Sequence, residues 1–179
     1  IWLCEDYTRA APGGTGLAKC GGNYAASLQA QQEALANGCD QVAFLDAVER
    51  RWVEELGGMN LYFVYDDGRI VTPELTDSIL EGVTRDSVLR LARSRGYDVV
   101  ETRFSIDDWR EGVRSGEITE VFACGTAAVV TPVGTLRWRD GEVSSGDDAG
   151  KVTTDLRSAL LDVQYGRSDE APGWMHRIC

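Results

Sequence analysis

The spacing of apolar and polar positions predicts helices and strands that alternate along the chain. Apolar residues recur at helical spacing in four segments, and runs rich in β-branched and aromatic residues lie between them. The predicted helices are residues 24–37 with Gly38 as the stop, a helix opening near Thr84 and running through Ala92, a short helix capped by Ser105 and ending near Arg114, and residues 154–165.

The predicted strands are short, and turn signals join several of them into hairpins. Such signals are Asp66-Asp67-Gly68, Gly125-Thr126 and Asp140-Gly141. The strands cover residues 41–46, 52–56, 60–65, 69–72, 98–104, 120–124, 127–131 and 135–139, and Val143 continues the last hairpin. Because no repeat, low-complexity tract or linker interrupts the pattern, it predicts one mixed α/β (α+β) domain covering residues 1–179.

Composition narrows the class of protein. The chain has 179 residues, 43% of them hydrophobic, and a formal net charge of −11. This charge disfavours nonspecific binding to nucleic acid or to an anionic membrane surface. No apolar run approaches the roughly 18 residues that span a bilayer, so a cytoplasmic protein without a membrane partner is expected. The chain opens with Ile1-Trp2-Leu3 and no methionine, which suggests a domain cut from a longer protein.

The cysteines do not form a recognisable framework. Five of them are widely spaced, no two form a C-x-x-C pair, and His176 is the single histidine. This pattern indicates neither disulfides nor a zinc site, and no metal is expected. The cysteines predicted to be buried or partly buried free thiols are Cys4, Cys20, Cys39, Cys124 and Cys179.

Lys19 is a candidate nucleophile. It lies in the run Ala-Lys-Cys-Gly-Gly-Asn-Tyr, in a small, Gly-flanked setting, and the phenol of Tyr24 follows five residues later. If such an amine were withdrawn from water its pKa would fall, and the neutral form could make a Schiff base. The alternative is an ordinary exposed loop lysine.

Two further patterns are candidates for phosphate binding, although no Walker loop or G-x-G-x-x-G is present. At Gly82-Val83-Thr84 a glycine precedes a predicted helix start, where free amides and the helix dipole favour an anion. Gly125-Thr126-Ala127 offers amide and hydroxyl donors between two strands. Each could equally be an ordinary cap or turn.

Glu55 is the remaining candidate. It follows Glu54 in a predicted strand. A carboxylate held against a heteroaromatic nitrogen keeps that nitrogen protonated and makes the ring a better electron sink. A strand glutamate can also simply be exposed to solvent. The two candidate phosphate-binding segments, Gly82-Val83-Thr84 and Gly125-Thr126-Ala127, are called the anion cups below. Together, the amine, the phenol, the carboxylate and the anion cups are the parts that a pyridoxal 5′-phosphate site requires.

The segments that carry these residues resemble a known family. AKCGGNY, EELGGMNL, EGVTRD and CGTAAVVTPV, in this order, resemble the large C-terminal domain of bacterial fold-type IV branched-chain amino acid aminotransferases. The resemblance continues to Gly173-Trp174-Met175. It implies mixed sheets forming a pseudo-barrel flanked by helices, a homodimer, and a smaller N-terminal domain that this chain does not contain.

The resemblance also implies a role for each candidate. Lys19 would be the catalytic residue that forms the Schiff base with pyridoxal 5′-phosphate and moves the substrate proton. Tyr24 would contact the ring hydroxyl and Glu55 the ring nitrogen. The phosphate would lie on Val83, Thr84 and Thr126, and the substrate carboxylate on the amides of Thr126 and Ala127. Arg9 matches an arginine near the cofactor.

The implied reaction is the transfer of the amino group of leucine, isoleucine or valine to 2-oxoglutarate. Two alternatives remain open: another fold-type IV enzyme, such as a D-amino acid aminotransferase or an aminodeoxychorismate lyase, and an inactive cofactor-binding or dimerisation fragment. Animal relatives carry a redox-sensitive C-x-x-C pair where this chain has Ala128 and Thr131, so thiol switching is not expected there.

Overall fold

The computed structural model describes residues 1–171, 173–176 and 178 and confirms the mixed α/β class. Within these residues the helices are α1 (Gly21–Ala36), α2 (Val83–Ser94), α3 (Ile106–Ser115) and α4 (Lys151–Gln164). The strands are β1 (Trp2–Cys4), β2 (Val42–Leu45), β3 (Val53–Leu56), β4 (Asn60–Tyr65), β5 (Ile70–Pro73), β6 (Val99–Thr102), β7 (Ile118–Gly125), β8 (Val129–Pro132), β9 (Thr135–Trp138) and β10 (Gly141–Ser144).

The strands form two five-stranded mixed sheets. The first has the order β10-β9-β1-β2-β3, in which β1 is parallel to both β2 and β9. The second has the order β6-β5-β4-β7-β8, in which β5 and β6 are parallel and the other neighbours antiparallel. The three predicted hairpins are present as β4–β5, β7–β8 and β9–β10.

The two sheets face each other across one apolar core. Leu3, Leu45 and Leu56 from the first sheet pack with Phe63 and Val121 from the second. The outer face of the second sheet is covered by α2 and α4, and the outer face of the first by α1. The expectation of mixed sheets flanked by helices is therefore confirmed. A tight turn joins β3, the edge strand of the first sheet, to β4, the central strand of the second, beside the candidate site.

Helices α1 and α4 begin three residues earlier than the sequence predicts, whereas α2 begins at Val83, as expected near Thr84. The residues that precede α1, α2 and α4 are Cys20, Gly82 and Gly150, and none makes a side-chain capping bond. The usual Ser, Thr or Asp signal is therefore missing at these starts. Where the signal exists it is correct, because Ser105 and Asp108 form a reciprocal capping box at the start of α3.

One predicted strand starts too early, and one short strand was not predicted. The predicted strand 127–131 begins with a turn over residues 126–128, and β8 starts only at Val129, which has a φ of 59°. A positive φ at a β-branched residue is strained and is not predictable from composition. The three-residue β1 was not predicted, because so short an apolar run carries no periodicity.

Helix α4 is capped from outside its own sequence. The carboxylate of Glu120 accepts hydrogen bonds from the amides of Val152 and Thr153, at 3.0 and 2.8 Å, and from the Thr153 hydroxyl at 2.8 Å. Gly150 makes room for that carboxylate, because a Cβ at Gly150 would overlap the Glu120 side chain. Gly150 also has φ 79° and ψ 156°, a conformation that is essentially restricted to glycine.

We expect Gly150→Ala to destabilise the protein by about 2–4 kcal/mol, because backbone strain adds to loss of the α4 cap. Urea denaturation measures this change. Gly68→Ala is the matched control, since Gly68 also has a positive φ of 85° but nothing lies within 4 Å of its Cβ position. Equal losses in the two variants would contradict a role for the Glu120 contact.

No helix within the described residues is long and apolar enough to cross a membrane. Cys4, Cys39 and Cys124 are buried free thiols and Cys20 is a half-buried one. The prediction for Cys179 lies outside the described residues.

Candidate active site

Five of the predicted site residues line one cavity of about 300 Å³, where the β3–β4 turn, the start of α2 and the end of β7 meet. These five are Lys19, Glu55, Val83, Thr84 and Thr126. The cavity is completed by Leu17, Gly58, Asn60, Leu80, Glu81, Gly82, Cys124 and Gly125. Segments far apart in the sequence thus place an amine, a carboxylate and two sets of anion donors around one space.

Glu55 is a buried carboxylate with partners on one of its oxygens. Its side chain is 2% exposed, and Oε1 lies 3.0 Å from Nη1 of Arg9. The amide of Leu80 donates to the same oxygen at 2.8 Å. Among the described residues both partners contact Oε1 and none contacts Oε2, and Glu55 lines the cavity. The exposed-glutamate alternative is excluded, and one carboxylate oxygen remains for a ligand.

The surroundings of Glu55 favour its neutral form. Burial raises the pKa of Glu55 from 4.5 to about 7, and the Arg9 charge and the Leu80 amide oppose that rise only in part. Desolvation dominates because an ion in a low-dielectric interior loses its hydration. A cation brought to the cavity would restore the ionised carboxylate.

This pKa shift has a consequence for stability. The folded state holds the Glu55 proton more tightly than the unfolded chain does. The contribution of this proton to the free energy of unfolding is therefore present below about pH 4.5 and is lost as the pH rises towards 7. Without cofactor, we expect the free energy of unfolding, relative to Glu55→Gln, to fall by up to about 3 kcal/mol between about pH 5 and pH 8. Chemical denaturation of both proteins across this range measures it; parallel pH profiles would contradict the shift.

Arg9 lies behind the cavity and does not line it. Its residue surface is 3% exposed, and Nη1 donates to the Ser78 carbonyl at 3.0 Å in addition to pairing with Glu55. Asn60 donates from Nδ2 to the Leu80 carbonyl at 3.1 Å. The segment from Ser78 to Gly82 is therefore tied to β3 and β4 just before it becomes α2.

Lys19 is exposed in the structure, so its amine is not withdrawn from water by the described residues. In the loop over residues 11–20, Gly16 is buried against Ser78, whereas Leu17, Ala18 and Lys19 are exposed. The Lys19 Nζ lies 5.4 Å from the centroid of the Tyr24 ring, which belongs to the first turn of α1 and is half-buried. Tyr24 itself does not line the cavity, but this stacking places it beside the amine.

The start of α2 forms the first anion cup. Gly82 precedes the helix and offers no side-chain cap, so the first amides of α2 are not occupied by their own side chains. Both Val83 and Thr84 line the cavity, and the side chain of Val83 is exposed. A Cβ on Gly82 would lie 2.5 Å from Oδ1 of Asn60, so glycine is required for the close approach.

The second cup lies at the end of β7. Gly125 and Thr126 line the cavity, whereas Ala127 is exposed in the adjacent turn and does not. A Cβ on Gly125 would lie 3.2 Å from Cγ of Met59 and 3.3 Å from the Gly58 carbonyl, so this turn packs closely against the β3–β4 turn.

Sequence reasoning missed several residues of the site. Asn60, Leu80 and Cys124 line the cavity, and Ser78 and Glu54 support it from behind. The sequence did carry a signal for Glu54. Glu54 and Glu55 are adjacent in one strand, so their side chains must point to opposite faces of the sheet. Ser78 and Leu80 lie in a loop without periodicity, and nothing in the sequence distinguishes them.

The residues present suit pyridoxal 5′-phosphate. A buried carboxylate with an unoccupied oxygen suits a ring nitrogen, and an uncapped helix start with a glycine cradle suits a phosphate. No group of three or more His, Cys, Asp or Glu side chains among the described residues could hold a metal ion.

Comparison with known proteins is decisive for the family. Residues 7–136 match the family model described as amino-transferase class IV. The chain belongs to the class IV aminotransferases. Its class IV relatives include a probable branched-chain-amino-acid aminotransferase of Streptomyces coelicolor, 61% identical over 99% of this chain and 49% of that protein. The branched-chain-amino-acid aminotransferase of Mycolicibacterium smegmatis is 54% identical over 99% of this chain and 50% of that protein.

The solved structures agree with this class IV assignment and with the expected fold-type IV architecture. A branched-chain amino acid aminotransferase of T.th., solved with pyridoxamine 5′-phosphate, superimposes with a TM-score of 0.83 at 38% identity, over 99% of this chain and 54% of that chain. The chain thus spans about half the length of the curated relatives that it matches.

Proposed function

We propose that this chain provides the cofactor site of a transaminase that exchanges the amino group of leucine, isoleucine or valine with 2-oxoglutarate, using pyridoxal 5′-phosphate. The observation that carries the proposal is the single cavity lined by Lys19, by buried Glu55 and by two anion cups. An amine alone, or an anion cup alone, would be compatible with many functions. Their convergence suits a ligand with a carbonyl, a basic ring nitrogen and a phosphate.

Lys19 and Glu55 would act on the reacting part of the ligand. Nζ of Lys19 would be the covalent attachment point and, once released, would carry the proton removed from the substrate α-carbon. Glu55 would hold a proton on the ring nitrogen through Oε2, with Arg9 and the Leu80 amide fixing Oε1. When bound, the cofactor supplies an electron sink and holds the amino group between two half-reactions.

The remaining residues would bind and orient. The backbone of Val83 and Thr84 and the hydroxyls of Thr84 and Thr126 would hold the phosphate, since these residues line the cavity. Tyr24, stacked beside Lys19, would hydrogen-bond the ring hydroxyl. The amides of Thr126 and Ala127 would meet the substrate carboxylate at the exposed side of the second cup.

The substrate class rests on the relatives. Proteins named branched-chain-amino-acid aminotransferases cover this chain from end to end at up to 61% identity among those compared above. The T.th. aminotransferase was also solved with N-(5′-phosphopyridoxyl)-L-glutamate, which joins the cofactor to an amino acid related to 2-oxoglutarate.

Rates of amino transfer test the substrate class. The protein should form glutamate from 2-oxoglutarate with L-leucine, L-isoleucine or L-valine as donor. D-Alanine and aminodeoxychorismate serve as the competing substrates. Turnover of either at a higher kcat/KM than L-leucine would replace the proposal by the corresponding fold-type IV reaction. Cofactor binding without turnover of any substrate would support the inactive cofactor-binding fragment.

We also propose that residues 1–179 form the large, C-terminal domain of a cytoplasmic homodimer. The coverage of about half of each relative supports a domain of a larger enzyme. Sedimentation equilibrium of the protein should give the mass of two copies, and a monomer under assay conditions would contradict the homodimer.

We expect Gly82→Ala to weaken pyridoxal 5′-phosphate binding at least about tenfold, which corresponds to about 1.4 kcal/mol. The added Cβ would displace the Asn60 amide and free the Leu80 carbonyl that orients the segment before α2. Fluorescence titration measures the dissociation constant. Unchanged affinity in Gly82→Ala would contradict the cup.

A further inference from the structure

Glu54 is a second buried carboxyl, on the opposite face of β3 from Glu55. The residue is 6% exposed, and Oε1 accepts a hydrogen bond from the Ser78 hydroxyl. Among the described residues, no hydrogen-bond partner reaches its buried Oε2. Ser78 in turn accepts from Arg9 through its carbonyl, and Arg9 pairs with Glu55. Glu54, Ser78, Arg9 and Glu55 thus form one continuous buried cluster.

The charges in this cluster do not balance when both carboxyls are ionised. Arg9 is a cation whose charge acts on both of them, and Lys19, exposed across the cavity, attracts Glu55 more weakly than Arg9 does. The other charged groups around Glu54 are mostly acidic. Glu54 borders a second cavity, separate from the candidate active site, whose lining includes Asp46, Glu49, Glu74 and Asp77. Arg103 also lines this second cavity, but it already contacts Glu49 and Glu74. An uncompensated buried charge is strongly destabilising unless a proton neutralises it.

We propose that Glu54 is a positioning residue for the ring-nitrogen site: at neutral pH the Glu54–Glu55 pair holds one proton without cofactor and releases it to solvent when a protonated ring nitrogen reaches Glu55. With one proton the cluster of two carboxyls and Arg9 is neutral. The arriving positive nitrogen makes the fully ionised pair neutral instead. Glu54 therefore allows Glu55 to be uncharged in the empty site and charged in the occupied one.

The burial of both carboxyls supports a proton shared by the pair. Desolvation raises the pKa of Glu54 and of Glu55, and this rise exceeds the lowering by the Ser78 hydroxyl and the Arg9 charge. The two groups interact, so the proton belongs to the pair and not to either residue alone. This inference rests on the proposed function, in that the ligand must bring a basic ring nitrogen to Glu55.

The release of protons when pyridoxal 5′-phosphate binds tests the proposed role of Glu54. Calorimetric titration of the protein with pyridoxal 5′-phosphate near pH 7, in two buffers of different ionisation enthalpy, counts the protons released. Glu54→Gln keeps the side-chain volume but removes the second acid, so wild type should release about one proton more than this variant. The matched control is Glu74→Gln, which removes an exposed carboxyl from the second cavity that Glu54 borders. This variant should release as many protons as wild type.

Equal proton release by wild type and Glu54→Gln, with pyridoxal 5′-phosphate bound by both, would overturn this inference and leave the proposed function intact. Failure of the cofactor to bind the wild type would overturn both. If Glu54→Gln does not fold, the infrared difference spectrum of the wild type decides: the carbonyl band of a protonated carboxyl should disappear on cofactor binding near pH 7. Its persistence would overturn the inference.

Discussion

Replacing Lys19 with alanine should lower kcat/KM for L-leucine by roughly 10³-fold or more. General acid–base catalysis alone contributes about 10²–10⁴-fold, and this variant also removes the point of covalent attachment. Among the described residues Lys19 is the lysine that lines the cavity. Because the side chain is exposed and lies over the Tyr24 ring, the loss should affect the reaction and not folding. Steady-state amino transfer and thermal unfolding measure the two effects separately.

The chain provides a matched control for Lys19. It contains two lysines, and the other, Lys151, is the exposed first residue of α4 and lies outside this cavity. Lys151→Ala should keep wild-type kcat/KM within about twofold, since surface substitutions away from a site change energies by only about 0.5 kcal/mol. Retained activity in Lys19→Ala, or equal loss in both variants, would refute the role of Lys19.

Glu55→Gln should lower kcat/KM by roughly 10²- to 10³-fold. Truncating one partner of a buried charge pair costs about 2–5 kcal/mol, and each 1.4 kcal/mol in the barrier is about tenfold in rate. The amide cannot hold a proton on the ring nitrogen, so the loss should fall on kcat more than on KM for L-leucine. The absorption spectrum of the bound cofactor should also change, because the ring nitrogen loses its proton.

Two observations separate this electronic effect from a packing defect. Glu55→Asp keeps the charge in a shorter side chain, so it should recover part of the kcat lost in Glu55→Gln. Glu74→Gln makes the same chemical change on the surface and should leave kcat unaltered. If Glu55→Gln and Glu55→Asp lose kcat equally, with an unchanged cofactor spectrum, Glu55 acts through packing and not through its charge.

The elements with strong periodicity were predictable, and those governed by distant contacts were not. The β4–β5 and β7–β8 hairpins and the capping box of α3 follow from local turn and cap residues. The start of α4 does not, because its cap is Glu120, some thirty residues earlier in the chain. The turn that delays β8 depends on a positive φ at Val129, which nothing in its sequence neighbourhood requires.

The candidate site divides in the same way. Residue types and their order identified Lys19, Glu55 and both cups, because each carries a distinct chemistry in a short motif. Two supports of the site were hidden: the Ser78 carbonyl and the Leu80 amide are backbone groups, which every residue possesses. The sequence left both a withdrawn and an exposed Lys19 open, since burial depends on which segments cover a loop.

Reductive labelling tests the central claim most directly. The protein is incubated with pyridoxal 5′-phosphate, reduced with borohydride and digested, and the site of the added mass is mapped by mass spectrometry. A lysine site built as described predicts that the label is on the peptide containing Lys19 and is absent from the peptide containing Lys151. Labelling of Lys151 in preference to Lys19, or no labelling of either, would contradict the assignment of this cavity as a pyridoxal 5′-phosphate site.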